Sequence, residues 1–164
     1  MLISLHIQNF VLIDQTTIEF KPGLNVLTGE TGSGKSAIID ALNLVLGSRH
    51  DTDMIRNGQE KATVEAQFDI SQASELPSLF EHMGLLYDPD FIHIKREMTR
   101  NGKNRIWINR EPVPLIKLKS IASHLLEFVG QRATNILVEE SNHLEILDDI
   151  GRLRPIRKQF KDVH

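Results

Sequence analysis

Leu24-Asn25-Val26-Leu27-Thr28-Gly29-Glu30-Thr31-Gly32-Ser33-Gly34-Lys35-Ser36-Ala37 is the stretch whose reading decides the fold. Its second part, residues 29–36, fits the phosphate loop G-x-x-x-x-G-K-S. An apolar run leads into it, and a helix-like run over residues 37–46 leads out. Strand, glycine loop and helix start, in that order, are the arrangement that phosphate binding needs. Glycines let backbone N–H groups close around phosphate oxygens without Cβ interference, and a helix N-terminus adds partial positive charge. Lys35 has the reach for β- and γ-phosphates, and the Ser36 hydroxyl suits Mg²⁺. Gly29, Glu30, Thr31, Gly32, Ser33, Gly34, Lys35, Ser36 and Ala37 are therefore the expected ATP-binding residues, with Ser36 as a Mg²⁺ ligand. A Gly/Ser turn that matches by chance is the bland alternative.

Composition sets the bounds. The chain has 164 residues, 40% hydrophobic and 25% charged, which suits one ordinary globular domain with a real core. A net charge of −3 gives no global attraction to nucleic acid, so any DNA contact needs a local basic patch. With no cysteine, disulfides and thiolate metal sites are excluded. The first residues, Met1-Leu2-Ile3-Ser4-Leu5-His6, lack a basic region and a long apolar core, and no run reaches membrane-spanning length. These features predict a soluble, cytoplasmic protein without a membrane partner.

Residues 2–10 alternate loosely and predict a first strand, and 16–20 a second. Lys21-Pro22-Gly23 reads as a tight turn, and 24–28 as the strand that delivers the phosphate loop. In the following helix Ile38, Leu42 and Val45 share a face that Ile39 and Leu46 widen. Residues 63–70 alternate as a strand. Leu76, Leu79, Phe80 and Met83 have helical spacing, with Gly84 as C-cap. Residues 91–99 and 104–109 flank Arg100-Asn101-Gly102-Lys103, a strong hairpin signal. Pro112 and Pro114 precede a helix over 115–123, and 125–129 reads as a short strand ending at Gly130-Gln131. Leu153, Ile156, Phe160 and Val163 step by three and four, which fits a coiled-coil start or an ordinary amphipathic helix.

A phosphate loop alone is a poor hydrolase. An apolar strand ending in Asp or Asp-Glu normally holds Mg²⁺ and polarises the attacking water. Ile146-Leu147-Asp148-Asp149 is the nearest match, but its apolar residues are spaced as a helix, and Leu125-Leu126-Glu127 is too short. The catalytic acid is thus expected outside these residues.

Residues 5–13, 29–36, Leu46-Gly47-Ser48-Arg49, 104–114 and 125–131 resemble the N-terminal head segment of the RecN family of bacterial SMC-like DNA-repair ATPases. The likeness runs from residue 1 to about 147. The phosphate loop is generic, whereas the opening QNFVLID, INREPVPL and the Gly-Gln after a short strand are more specific. The resemblance implies a P-loop α/β fold of ABC/SMC type. Residues 1–150 would form the N-terminal half of the head, with an antiparallel β-lobe, and 151–164 the start of a coiled coil. It makes residues 29–36 the Walker A loop. It makes Gln131 the Q-loop glutamine, a Mg²⁺ ligand and water-orienting catalytic group beside Lys35. Family members place histidines after that glutamine, where this chain has Arg132-Ala133-Thr134. The Walker B strand and signature segment would lie in the C-terminal half. The implied partners are that half, a second head in a homodimer, and DNA. The implied function is ATP hydrolysis in double-strand-break repair and recombination, on the nucleoid. Arg49 or Arg56 falls where such heads carry an arginine-bearing loop near the nucleotide, though either also suits a solvated surface.

Lys95, Arg96, Arg100, Lys103 and Arg105 cluster on the hairpin, with Trp107 beyond them. Such a cluster either contacts phosphate backbone or is a solvated face balanced by Glu97 and Glu111. The seven histidines are scattered, without metal-ligand spacing. Two other functions fit the loop: a small-molecule kinase, which needs an Arg-rich lid not evident here, and an interaction module with a vestigial loop, against which intact Lys35 and Ser36 argue.

Overall fold

A computed structural model of the chain describes residues 1–30, 32, 34–49, 51–125 and 151. Residues 1–126 belong to one compact unit. Its strands are β1 (Leu2–Phe10), β2 (Ile13–Glu19), β3 (Lys61–Asp69), β4 (Phe91–Thr99), β5 (Asn104–Ile108) and β6 (Glu111–Pro112). They form a single sheet in the order β2-β1-β3-β4-β5-β6, and every neighbouring pair is antiparallel. The helices are α1 (Lys35–Val45), α2 (Leu76–Met83) and α3 (Leu115–Ala122). The fold is α/β, with the expected antiparallel lobe.

Alternation along each strand separates the two faces of the sheet. Leu5, Ala66, Ile94 and Ile108 share one register row of the inner face, and all four are buried. The adjacent inner row reads Ile7, Val64, Arg96, Ile106, so a charge stands among aliphatic residues. The outer face carries the row Thr17, His6, Glu65, Lys95, Trp107. There Glu65 receives Lys95 at 2.9 Å and His93 at 3.1 Å. Burial alone would raise the Glu65 pKa, but the Lys95 hydrogen bond and the charges of Lys95, His93 and His6 outweigh it and hold the carboxyl below its ordinary value.

Helix α1 buries Ala37, Ala41, Leu42, Leu44 and Val45. The expected stripe of Ile38, Leu42 and Val45 is rotated: Ile38 is half-buried and Ile39 is exposed. The small Ala37 and Ala41 set the buried face, because they let the helix backbone approach the sheet closely. Helix α2 buries Leu76 and Phe80, and Gly84 caps its C-terminus. The Lys117 ammonium on α3 donates to Met83 O at 2.6 Å, adding a cation at the same helix end.

One sequence expectation fails. Residues 24–28 form no strand, and Leu24, Val26 and Leu27 are 91%, 71% and 48% exposed. A strand that is apolar on both faces needs sheet neighbours on both edges, and none of the described strands lies beside it. Asn25 instead holds the segment as a loop, donating to Lys21 O and Gly23 O and accepting from Lys21 N. The expected strand over 125–129, the 146–149 segment, Gln131 and the heptad tail lie outside the described residues, apart from Leu125, which is in a turn.

Candidate functional site

The loop between residues 29 and 36 ends at Gly34, the N-cap of α1, whose φ is 94°. That left-handed backbone suits glycine, and no atom of the described residues lies within 4 Å of where a Cβ would stand. Among the described residues no side chain caps the helix, and its first turn holds no acid, which suits an anion at the positive pole of the helix. The Lys35 ammonium folds back over the loop, donating to Gly29 O and, at 2.6 Å, to Glu30 O. The structure therefore brings the lysine and the loop carbonyls together at the helix start, with Ser36 exposed beside them and Ala37 buried beneath. Thr31 and Ser33 lie outside the described residues.

A cavity of about 300 Å³ opens beside this loop. Gly32, Gly34, Lys35, Ser36 and Ala37 form one wall; Val11 and Leu12, in the β1–β2 turn, form the other. Asp40 also lines it. These three wall residues escaped the sequence reading. The i, i+4 spacing from Ser36 to Asp40 was a usable signal, since it sets both on one helix face. Nothing local placed the β1–β2 turn opposite a loop some twenty residues on. The donor set fits a nucleoside triphosphate: amides and an ammonium where phosphates would sit, a hydroxyl for Mg²⁺, and an apolar wall for the nucleoside.

The β1–β2 turn is strained and clamped. Val11, a β-branched residue, has φ 48°, and Asn9 has φ 54°. Val11 N donates to Met54 O at 2.7 Å, Arg56 N to Asn9 O at 2.9 Å, and the Arg56 guanidinium to Leu12 O at 2.6 Å. Arg56 thus reaches the cavity through its wall, while Arg49 is exposed beyond the other end of α1. At 1.5 Å per residue, that end is roughly 16 Å from the loop.

The basic hairpin resolves into separate structural roles. Arg100 donates to Gln59 O at 2.6 Å and Arg56 O at 3.1 Å, holding the segment that clamps the β1–β2 turn. Lys95 pairs with Glu65, and Glu97 with Lys61. Trp107 lies on the outer face of the hairpin, opposite Lys95. Lys103 and Arg105 are exposed. Arg96 is fully buried; desolvation lowers its pKa to about 10, so it stays charged at neutral pH. Among the described residues no group of three acids or histidines is placed to hold a metal.

The chain is matched over residues 4–163 by the family described as an AAA domain. It is 36% identical over 148 residues, 90% of its length, to the DNA repair protein RecN of Bacillus subtilis. It is 39% identical over 155 residues, 92% of its length, to that of Haemophilus influenzae. It covers 26% and 27% of those two relatives, so it spans about a quarter of each. The likeness to RecN seen in the motifs therefore extends along nearly all of this chain. The Smc head domain of Pyrococcus furiosus, solved with an extended coiled coil and bound to the C-terminal domain of ScpA, superposes with a TM-score of 0.70. That match has 21% identity and covers 98% of this chain and 44% of that one. The fold is that of an SMC-type head, and the chain belongs to the AAA domain family.

Proposed function

We propose that this chain is the ATP-binding front half of an SMC-like ATPase head that works in DNA double-strand-break repair and recombination. The observation that carries the proposal is the cavity beside the glycine N-cap of α1. Gly34 and Lys35 begin the helix, and a cavity with a Val11–Leu12 wall opens beside it. Backbone amides of the loop and Lys35 bind the phosphates, which requires the ammonium to leave Gly29 O and Glu30 O. Ser36 and Gln131 hold Mg²⁺, and Gln131 orients water. Val11 and Leu12 pack on the nucleoside. Asp40, a carboxylate on the same wall, keeps the phosphates at the loop end by repulsion. Residues 1–150 form the half-head and 151–164 open a coiled coil.

The exposed 24–28 run supports a shared core. A further strand from the C-terminal part of the same protein pairs with it, and that part also brings the acid that polarises water. Two such heads sandwich nucleotide, DNA engages the assembled protein, and the protein works in the cytoplasm. Among the described residues no helix is long and apolar enough to cross a membrane.

Steady-state ATP hydrolysis by this chain alone, then mixed with the C-terminal remainder of its own gene product, tests the proposal. The expected result is negligible turnover alone and clear turnover on mixing, the latter lost in Lys35→Ala. Robust turnover by the chain alone would place the catalytic acid within it and overturn the half-site; phosphoryl transfer to an acceptor would favour a kinase.

A further inference from the structure

Arg96 stands in the middle of an aliphatic register row, between Val64 and Ile106, and is fully buried. A buried guanidinium needs compensation, and among the described residues no carboxylate supplies it. Its Nη1 donates to Leu44 O at 2.6 Å and to Ser48 O at 2.7 Å, and its Nε donates to Asn104 Oδ1 at 3.0 Å. Nη2 is buried without a hydrogen-bond partner among the described residues. The first acceptor, Leu44 O, is in the last turn of α1, the negative pole of that helix, and Ser48 O lies in the segment that follows it. The last turn of α1 holds no basic residue of its own, so strand β4 supplies the cation. Gly47, at the same end, packs against Leu118 and Lys119 of α3. The two ends of α1 are therefore unlike. Among the described residues the phosphate end has no side-chain cap, whereas the far end is fixed to the sheet through one guanidinium.

We propose that Arg96 is a positioning residue for the nucleotide: by fixing the C-terminal end of α1 to β4, it sets where the opposite end presents its amides and Lys35. This rests on the phosphate-loop reading above. A rigid helix transmits a tilt at one end to the other, and small displacements of binding groups are costly to affinity. The two carbonyl bonds come from one nitrogen, and a second nitrogen holds Asn104. A lysine ammonium reaches one of these acceptors without reproducing the fork.

The test compares the wild-type chain with Arg96→Lys, Arg96→Met and Lys35→Ala. Fluorescent Mg–ATP analogue titrations are run at temperatures where circular dichroism shows each variant folded. Amide exchange along α1 is measured in parallel. Arg96→Met is expected to weaken binding roughly tenfold to a hundredfold and to speed exchange up to the Ile38 amide, with partial recovery in Arg96→Lys. A lowered melting temperature with unchanged affinity in the folded methionine variant would show a purely structural role and overturn the proposal. Should Arg96→Met fail to fold, unchanged affinity in folded Arg96→Lys would overturn it equally. If Lys35→Ala binds as wild type does, the phosphate-loop reading fails, and the proposal with it.

Discussion

At the residue scale, backbone conformation decides which side chains the site tolerates. Gly47 has φ 103° where α1 ends, and an added Cβ would lie 2.9 Å from Lys119 Cγ and 3.7 Å from Lys119 Cα. Gly58 has φ 82° with nothing within 4 Å of that position. Both alanine variants incur the left-handed penalty of about 1–2 kcal/mol, but only Gly47→Ala must also shift the Lys119 side chain on α3. Urea denaturation is expected to rank Gly47→Ala below Gly58→Ala, with the difference reporting the contact with α3. Equal losses would mean that the Lys119 side chain yields without cost. The same scale explains why Lys35 was fully legible, whereas the spacing of Asp40 from Ser36 gave only its helix face. Lysine after glycine in a phosphate loop announces its role by motif, whereas a carboxylate in a helix becomes a cavity wall only once the β1–β2 turn stands opposite.

At the element scale, the sheet is amphipathic in cross-section. Its outer face is held by polar rows, with Glu65 at their centre, between Lys95 and His93. The Glu65 pKa is lowered from 4.5, so the folded state binds its proton less tightly than the unfolded chain does. Its contribution is thus complete above about pH 4.5 and is lost as pH falls through the depressed folded value. For a partly exposed pair the effect is below about 1 kcal/mol. Chemical denaturation between about pH 6 and pH 3 should show a shallower loss of stability in Glu65→Gln than in wild type. Parallel curves would mean that the pair contributes nothing. The hairpin beneath this face was readable because Asn101-Gly102 fixes a turn between adjacent alternating strands. The role of Arg96 was unreadable for the opposite reason. Alternation with Ile94 and Met98 sets it on the inner face, but two of its acceptors, Leu44 and Ser48, lie 52 and 48 residues away in sequence, and nothing local says that it meets them.

At the scale of the whole molecule, the 24–28 segment links what was legible to what was not. Its composition is that of a buried parallel strand, yet its pairing partners are not among the described strands, so composition and environment disagree. A segment whose hydrophobicity exceeds its burial has its partners elsewhere, and the shared-core proposal places them in the C-terminal part of the same protein. Val26 discriminates best, being 71% exposed in this chain. Val26→Asp is expected to change the stability of the isolated chain by no more than about 0.5 kcal/mol, as surface substitutions do. In an assembled head the same carboxylate would be buried and unpaired, which is severely destabilising. Turnover on mixing with the C-terminal remainder should therefore be lost while the chain alone still binds Mg–ATP. If mixing still restores full turnover, residues 24–28 remain solvent-facing in the assembled head, and the second half joins through another surface.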